Sequence, residues 1–99
     1  MIELEHAEFL TLKISTAGKE PDFSSARLLA DDLAASNLRG PMLIAWYDGR
    51  KNEEHPYVPE CQHKPGWLAY AEGHGGCIRV DVDEGQYSFI YADVDVPEA

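Results

Sequence analysis

The chain is short of positive charge: 8 lysines and arginines stand against 18 acids in 99 residues, a formal net charge of -10. No basic cluster exceeds Arg50-Lys51. Such a surface repels phosphate backbones and anionic headgroups at long range, which argues against nucleic acid and membrane as partners. Long apolar runs are missing too: Leu28 to Ala30 and Met42 to Tyr47 fall far short of the roughly 20 residues that span a bilayer. The opening MIELEHAEFL has acids where a secretory leader carries bases and an apolar stretch, which predicts a soluble, cytoplasmic protein. Cysteine is scarce. In that compartment Cys61 and Cys77 suit free thiols or metal ligands better than a bridge, with a Cys61 to Cys77 disulfide as the remaining option. No stretch matches a catalytic motif strongly enough to fix a reaction.

What is present is a hydrophobic share of 44%, enough to bury the core of one domain spanning 1–99. Residues 8–14 (EFLTLKI) alternate, with Leu10, Leu12 and Ile14 on one side of a first strand. Turn material follows, and Asp22 or Ser24 can cap a helix running to about Leu38, packed by Ala26, Leu29, Ala30 and Leu33. Gly40 is placed to end that helix in the left-handed conformation, and Pro41 prevents its continuation. Met42 to Tyr47 is apolar on both faces, as expected for the middle strand of a sheet.

Pro65 suits the first turn of a short second helix, in which Trp67, Tyr70, Ala71 and His74 share a face and Gly75-Gly76 make the stop. Residues 77–82 and 86–91 then alternate around Asp83-Glu84-Gly85, the signature of a hairpin. Pairing Val82 with Tyr87 also sets Val80 opposite Phe89 and Ile78 opposite Tyr91, so one register gathers six apolar side chains. Arg79 and Asp81 fall on the other face as solvated residues, and 93–99 form an acidic tail. The predicted architecture is a small α+β domain, strand-helix-strand-helix-hairpin, with a four-stranded mixed sheet.

Between these elements lies a sixteen-residue segment, Gly49 to Lys64, without a convincing period. Unstructured loops of that length are usually functional or held by something extra. Beside it, Trp46, Tyr47, Tyr57, Trp67 and Tyr70 fall within 25 positions, and amphipathic rings next to a proline-stiffened loop can line a pocket or a partner-binding patch. His55, Tyr57, Trp67 and Tyr70 are the candidate binding residues.

Cys61-x-His63 followed by His74-x-x-Cys77 supplies four ligands of the types zinc favours, which would pin the loop, although Cys-x-His is tighter than usual zinc spacing. His74 also suits a helix C-terminus through the dipole. The same cysteines and histidines admit a thiol-dependent enzyme, if a base lies close to Cys61 or Cys77. Asp81-x-Asp83-Glu84-Gly85 lacks the acids of a calcium loop and is a turn.

Trp46-Tyr47-Asp48, Lys64-Pro65-Gly66-Trp67, Gly75-Gly76 and Phe89-Ile90-Tyr91 resemble a family of short bacterial and archaeal proteins known as a domain of unknown function. The resemblance covers roughly positions 42 to 91. It implies one small α+β domain and carries no activity, substrate or cofactor with it. The residues themselves point first to a binding or interaction module, using the loop 49–64 and the start of the following helix to take a protein or small molecule. Zinc binding and thiol catalysis are the alternatives. Ile90 and Ala92, apolar on the second face, are candidates for cover by a second copy in a homodimer.

Overall fold

The computed structural model describes residues 9–59 and 64–95. In chain order they form β1 (Leu10–Ile14), α1 (Phe23–Asn37), β2 (Pro41–Asp48), β3 (Glu53–His55), α2 (Gly66–Gly73), β4 (Ile78–Val82) and β5 (Tyr87–Asp93). The five strands make one mixed sheet in the order β1-β4-β5-β2-β3, with β1 parallel to β4 and every other pair antiparallel. The class is α+β as expected, with one strand more than expected. The extra strand, β3, lies inside the segment 49–64 that has no sequence period; with three residues it is too short to show one.

The hairpin has the expected register, Val82 opposite Tyr87, Val80 opposite Phe89 and Ile78 opposite Tyr91. That face meets α1, whose Asp22 cap accepts the Ser25 amide at 2.8 Å. Ala26, Ala30 and Ala34 are fully buried, so the contact stripe of α1 is a row of methyl groups four residues apart that brings the helix axis close to the sheet. Leu33 packs at its edge, while Leu29 is 40% exposed. Tyr87, Phe89 and Tyr91 fill the space beneath, each contributing about 3 kcal/mol of burial as an upper estimate. Their hydroxyls are satisfied: Tyr87 donates to the Pro21 carbonyl at 2.8 Å and Tyr91 to Asp31 Oδ1 at 2.6 Å.

Two expectations are corrected. The middle of the sheet is β5, not β2, because the Tyr87 to Ala92 run is buried on both faces. Its central place is disguised by Ser88, which is buried yet polar. Gly40 does not end α1 with a left-handed turn. The helix closes at Leu38, whose extended backbone still donates its N–H to Ala34, and Gly40 instead donates to Asp93 Oδ1 at 2.9 Å. Asp93 is thereby a structural acceptor, its carboxyl held below the usual range chiefly by the Gly40 amide, and not part of a loose tail. Residues 96–99 lie outside the described residues.

On the second face, α2 covers Ile90 and Ala45 with Trp67 and Ala71. Ile90 is fully buried within the chain and needs no second copy to cover it. No helix among the described residues is long and apolar enough to cross a membrane.

Candidate functional site

Because β1, β2 and β4 run in the same direction, the loops that leave them emerge at one end of the sheet. These are residues 15–22 after β1, 49–52 after β2 and 83–86 after β4. Each loop is tied to the others. Asp83 receives the Thr16 amide at 2.8 Å and the Thr16 hydroxyl at 2.6 Å, joining the first to the third. Gly49 donates to the Gln86 carbonyl at 2.7 Å, and a Cβ at Gly49 would stand 2.6 Å from that oxygen, so the second and third approach as only glycine allows. Arg50 Nη1 reaches back to the Pro21 carbonyl at 3.4 Å, closing the ring. The buried Asp48 shapes the middle loop from below by accepting the Arg50 and Lys51 amides at 3.0 and 3.2 Å.

The ring encloses a cleft. One cavity of about 680 Å³ is lined by Lys13, Ile14, Glu20, Pro21, Arg50 and Glu84 among others. A second of about 460 Å³, lined by Asp22, Phe23, Asp48, Arg50, Lys51 and Tyr87, shares Arg50 as a wall. Volumes of this order are those of small-molecule sites.

Two further features single this end out. The first is charge. Arg27, Arg39, Lys64 and Arg79 are each paired with an acid within 4.0 Å, at Asp31, Asp95, Glu72 and Asp81. Lys13, Lys19, Arg50 and Lys51 complete the eight bases of the chain, and none of them has an acid within that distance among the described residues. All four belong to the sheet end, and three line the cavities. The Tyr87 hydroxyl first of all, then Glu20 and Asp48, hold the Arg50 guanidinium more firmly protonated than usual. The Pro21 carbonyl and the Tyr87 hydroxyl engage only part of its fork of five N–H donors.

The second feature is backbone strain. Ala17, Glu20, Asn52, Asp83 and Glu84 have positive φ, and these five non-glycine residues all lie in the three loops. A side chain there costs about 1 kcal/mol relative to an unstrained residue, and such outliers gather where a surface has a task.

The residues singled out from the sequence are dispersed. His55 stacks on Trp46 at 5.8 Å on the α1 side of the sheet. Trp67 is 5% exposed under α2, stacked on Tyr47 at 5.8 Å, and therefore belongs to the second core. Tyr70 stacks on His74 at 3.9 Å, and Tyr57 is 83% exposed. Tyr47 and Trp67 meet, but the four candidate binding residues do not form one patch.

Of the candidate metal ligands, Cys61 and His63 lie outside the described residues. The His74 ring packs at the end of α2, its Nδ1 2.7 Å from the Tyr70 carbonyl, and Cys77 carries a free thiol 3.5 Å from the Gly75 carbonyl. Among the described residues no group of three or more His, Cys, Asp or Glu is placed to hold a metal ion.

Arg79 and Asp81 are not simply solvated, as expected from their alternation. Arg79 Nε sits 2.9 Å from Asp81 Oδ1, the same oxygen accepts the Ser88 hydroxyl at 2.7 Å, and the guanidinium lies 5.6 Å from the Trp67 ring centre. Every strong partner in this cluster is consumed within it. The cleft residues escaped sequence reasoning because they come from three distant segments; the Arg50-Lys51 pair was the one local signal.

A family model described as "Domain of unknown function (DUF5619)" matches residues 9–91. The crystal structure of AF1514, a protein from Archeoglobus fulgidus, is similar to this chain with a TM-score of 0.75 and 23% identity, covering 90% of this chain and 100% of that one. At that identity the likeness is one of fold. No curated protein matches the chain.

Proposed function

The chain belongs to the DUF5619 family, and from its geometry we propose that it is a small-ligand binding module whose site is the cleft at the end of the sheet. The observation that carries this is the convergence there of two adjoining cavities with the bases that have no acid partner among the described residues. An acidic chain gains solubility from its net charge, but an unpaired base lining a concavity is left with donors to offer. Three tied loops also hold those donors in place before a ligand arrives, which lowers the ordering cost of binding. The segment 49–64 contributes through its first residues, Arg50 and Lys51, while Tyr57 is not among the residues lining either cavity.

Amide-resolved NMR of the labelled protein against a mixed set of small amines, carboxylates, phosphates and amino acids tests the reading. Shifts are expected at Gly18, Lys51 and Gln86, and their loss in Arg50→Ala. Shifts confined to Tyr57 and Tyr70 would move the site to the aromatic segment, and shifts nowhere would remove the binding role.

A further inference from the structure

We infer that the larger cavity takes a small zwitterion, a free amino acid or short peptide bearing one carboxylate and one ammonium group. This rests on the reading of the cleft as a ligand site and names its ligand class. Three acids and two bases line the larger cavity; with Asp83 taken up by Thr16, the bases Lys13 and Arg50 and the acids Glu20 and Glu84 remain open, over the half-buried side chains of Ile14 and Pro21. Among the described residues none of these four charges forms an ion pair within 4.0 Å, and neither glutamate side chain makes a hydrogen bond. The other acids at this end are already engaged: Asp83 with Thr16, Asp22 with the start of α1, and Asp48 with its own turn.

The open charges thus comprise both signs around one space. An inorganic anion would meet the two glutamates, and a metal ion would meet Lys13 and Arg50, so either leaves one pair opposed. A ligand with both charges satisfies both pairs, its carboxylate on the planar guanidinium and its ammonium on a glutamate. Glu20 and Glu84 both sit on left-handed backbone, φ +53° and +60°, where glycine would be the less strained residue. Side chains carried at that conformational cost are consistent with carboxylates that have work to do.

The test is an NMR titration following the Gly18 and Gln86 amides with four probes. L-phenylalanine and the dipeptide alanyl-phenylalanine carry both charges; N-acetyl-L-phenylalanine keeps only the carboxylate, and L-phenylalanine amide only the ammonium. Saturable shifts are expected with one or both zwitterions, the tighter one identifying the source as free amino acid or peptide. Each singly charged probe should bind about tenfold more weakly, the loss of one charge-assisted contact. Glu20→Gln with Glu84→Gln should weaken the zwitterion and, by removing two like charges, tighten the N-acetyl form. Equal affinity for N-acetyl-L-phenylalanine would overturn the zwitterion and leave the cleft as an anion site. Silence with all four probes, while another small molecule shifts the same amides, would overturn the ligand class alone.

Discussion

Asp83 holds Thr16 by two hydrogen bonds at once, one from its amide at 2.8 Å and one from its hydroxyl at 2.6 Å, across 67 positions of sequence. This clamp sets the loop after β1 against the β4–β5 turn and forms one side of the cleft. The Thr16 hydroxyl, and then its amide, hold the Asp83 carboxyl below the ordinary carboxylate value. A folded-state pKa that is depressed adds stability above the unfolded value of about 3.9, and that stability is lost as pH falls through the folded value. Asp83→Ala should therefore unfold in less urea than the parent at pH 7, with the gap narrowing below pH 4. A gap that is constant with pH would mean that the clamp is not ionic.

Tyr91 and Asp31 give the opposite sign. Burial first, then the Asp31 carboxylate, push the Tyr91 phenol well above its ordinary value. A raised folded pKa adds stability that is complete below about 10 and is lost as pH rises beyond it. Tyr91→Phe should cost about 1 kcal/mol at pH 7 and flatten the alkaline limb of stability against pH above 10, measured by urea unfolding. An unchanged alkaline limb would assign it to another group.

Asp81→Ala removes the shared acceptor of Arg79 and of the buried Ser88 hydroxyl, and should cost about 2 kcal/mol. Asp81→Asn, which keeps an acceptor but not the charge, should cost less. Thermal unfolding of both variants checks the order. Equal costs would locate the effect in packing.

Gly66→Ala would drive a methyl group into the Val58 carbonyl, where the chain after β3 lies against the start of α2. A loss of about 2 kcal/mol is expected, from overpacking that the backbone has to relieve by moving. Faster proteolytic cleavage near residue 58 than in the parent should accompany it. A variant as stable and as resistant as the parent would show that this approach is not a constraint.

The hairpin and α1 were legible because their periods are local: apolar residues two apart on both hairpin strands, and a stripe near four apart behind Asp22. The same register already placed Ser88 opposite Asp81, and the i, i+2 spacing of Arg79 and Asp81 put their side chains on one face. The polar cluster could thus have been foreseen from the hairpin itself. The strand order could not. Nothing local distinguishes β2 from β5 as the central strand, since both are apolar on two faces and Ser88 argues the wrong way. The cleft depends on that order, so its members, from Lys13 to Gln86, share no pattern along the chain.

The placement of β4 and β5 between β1 and β2 bears on how the protein is made. A chain emerging from the ribosome has β1, α1, β2 and β3 in hand with no neighbour for β1, and with α1 still lacking the β4 and β5 side chains it covers. Contacts over so long a separation form slowly and late. Until the nascent chain has extended through Gln86, the three loops have no closed ring to join, and neither Arg50 nor Lys13 has a cavity to line. The ring of loops thus closes, and the cleft within it opens, only once the β4–β5 hairpin has been made.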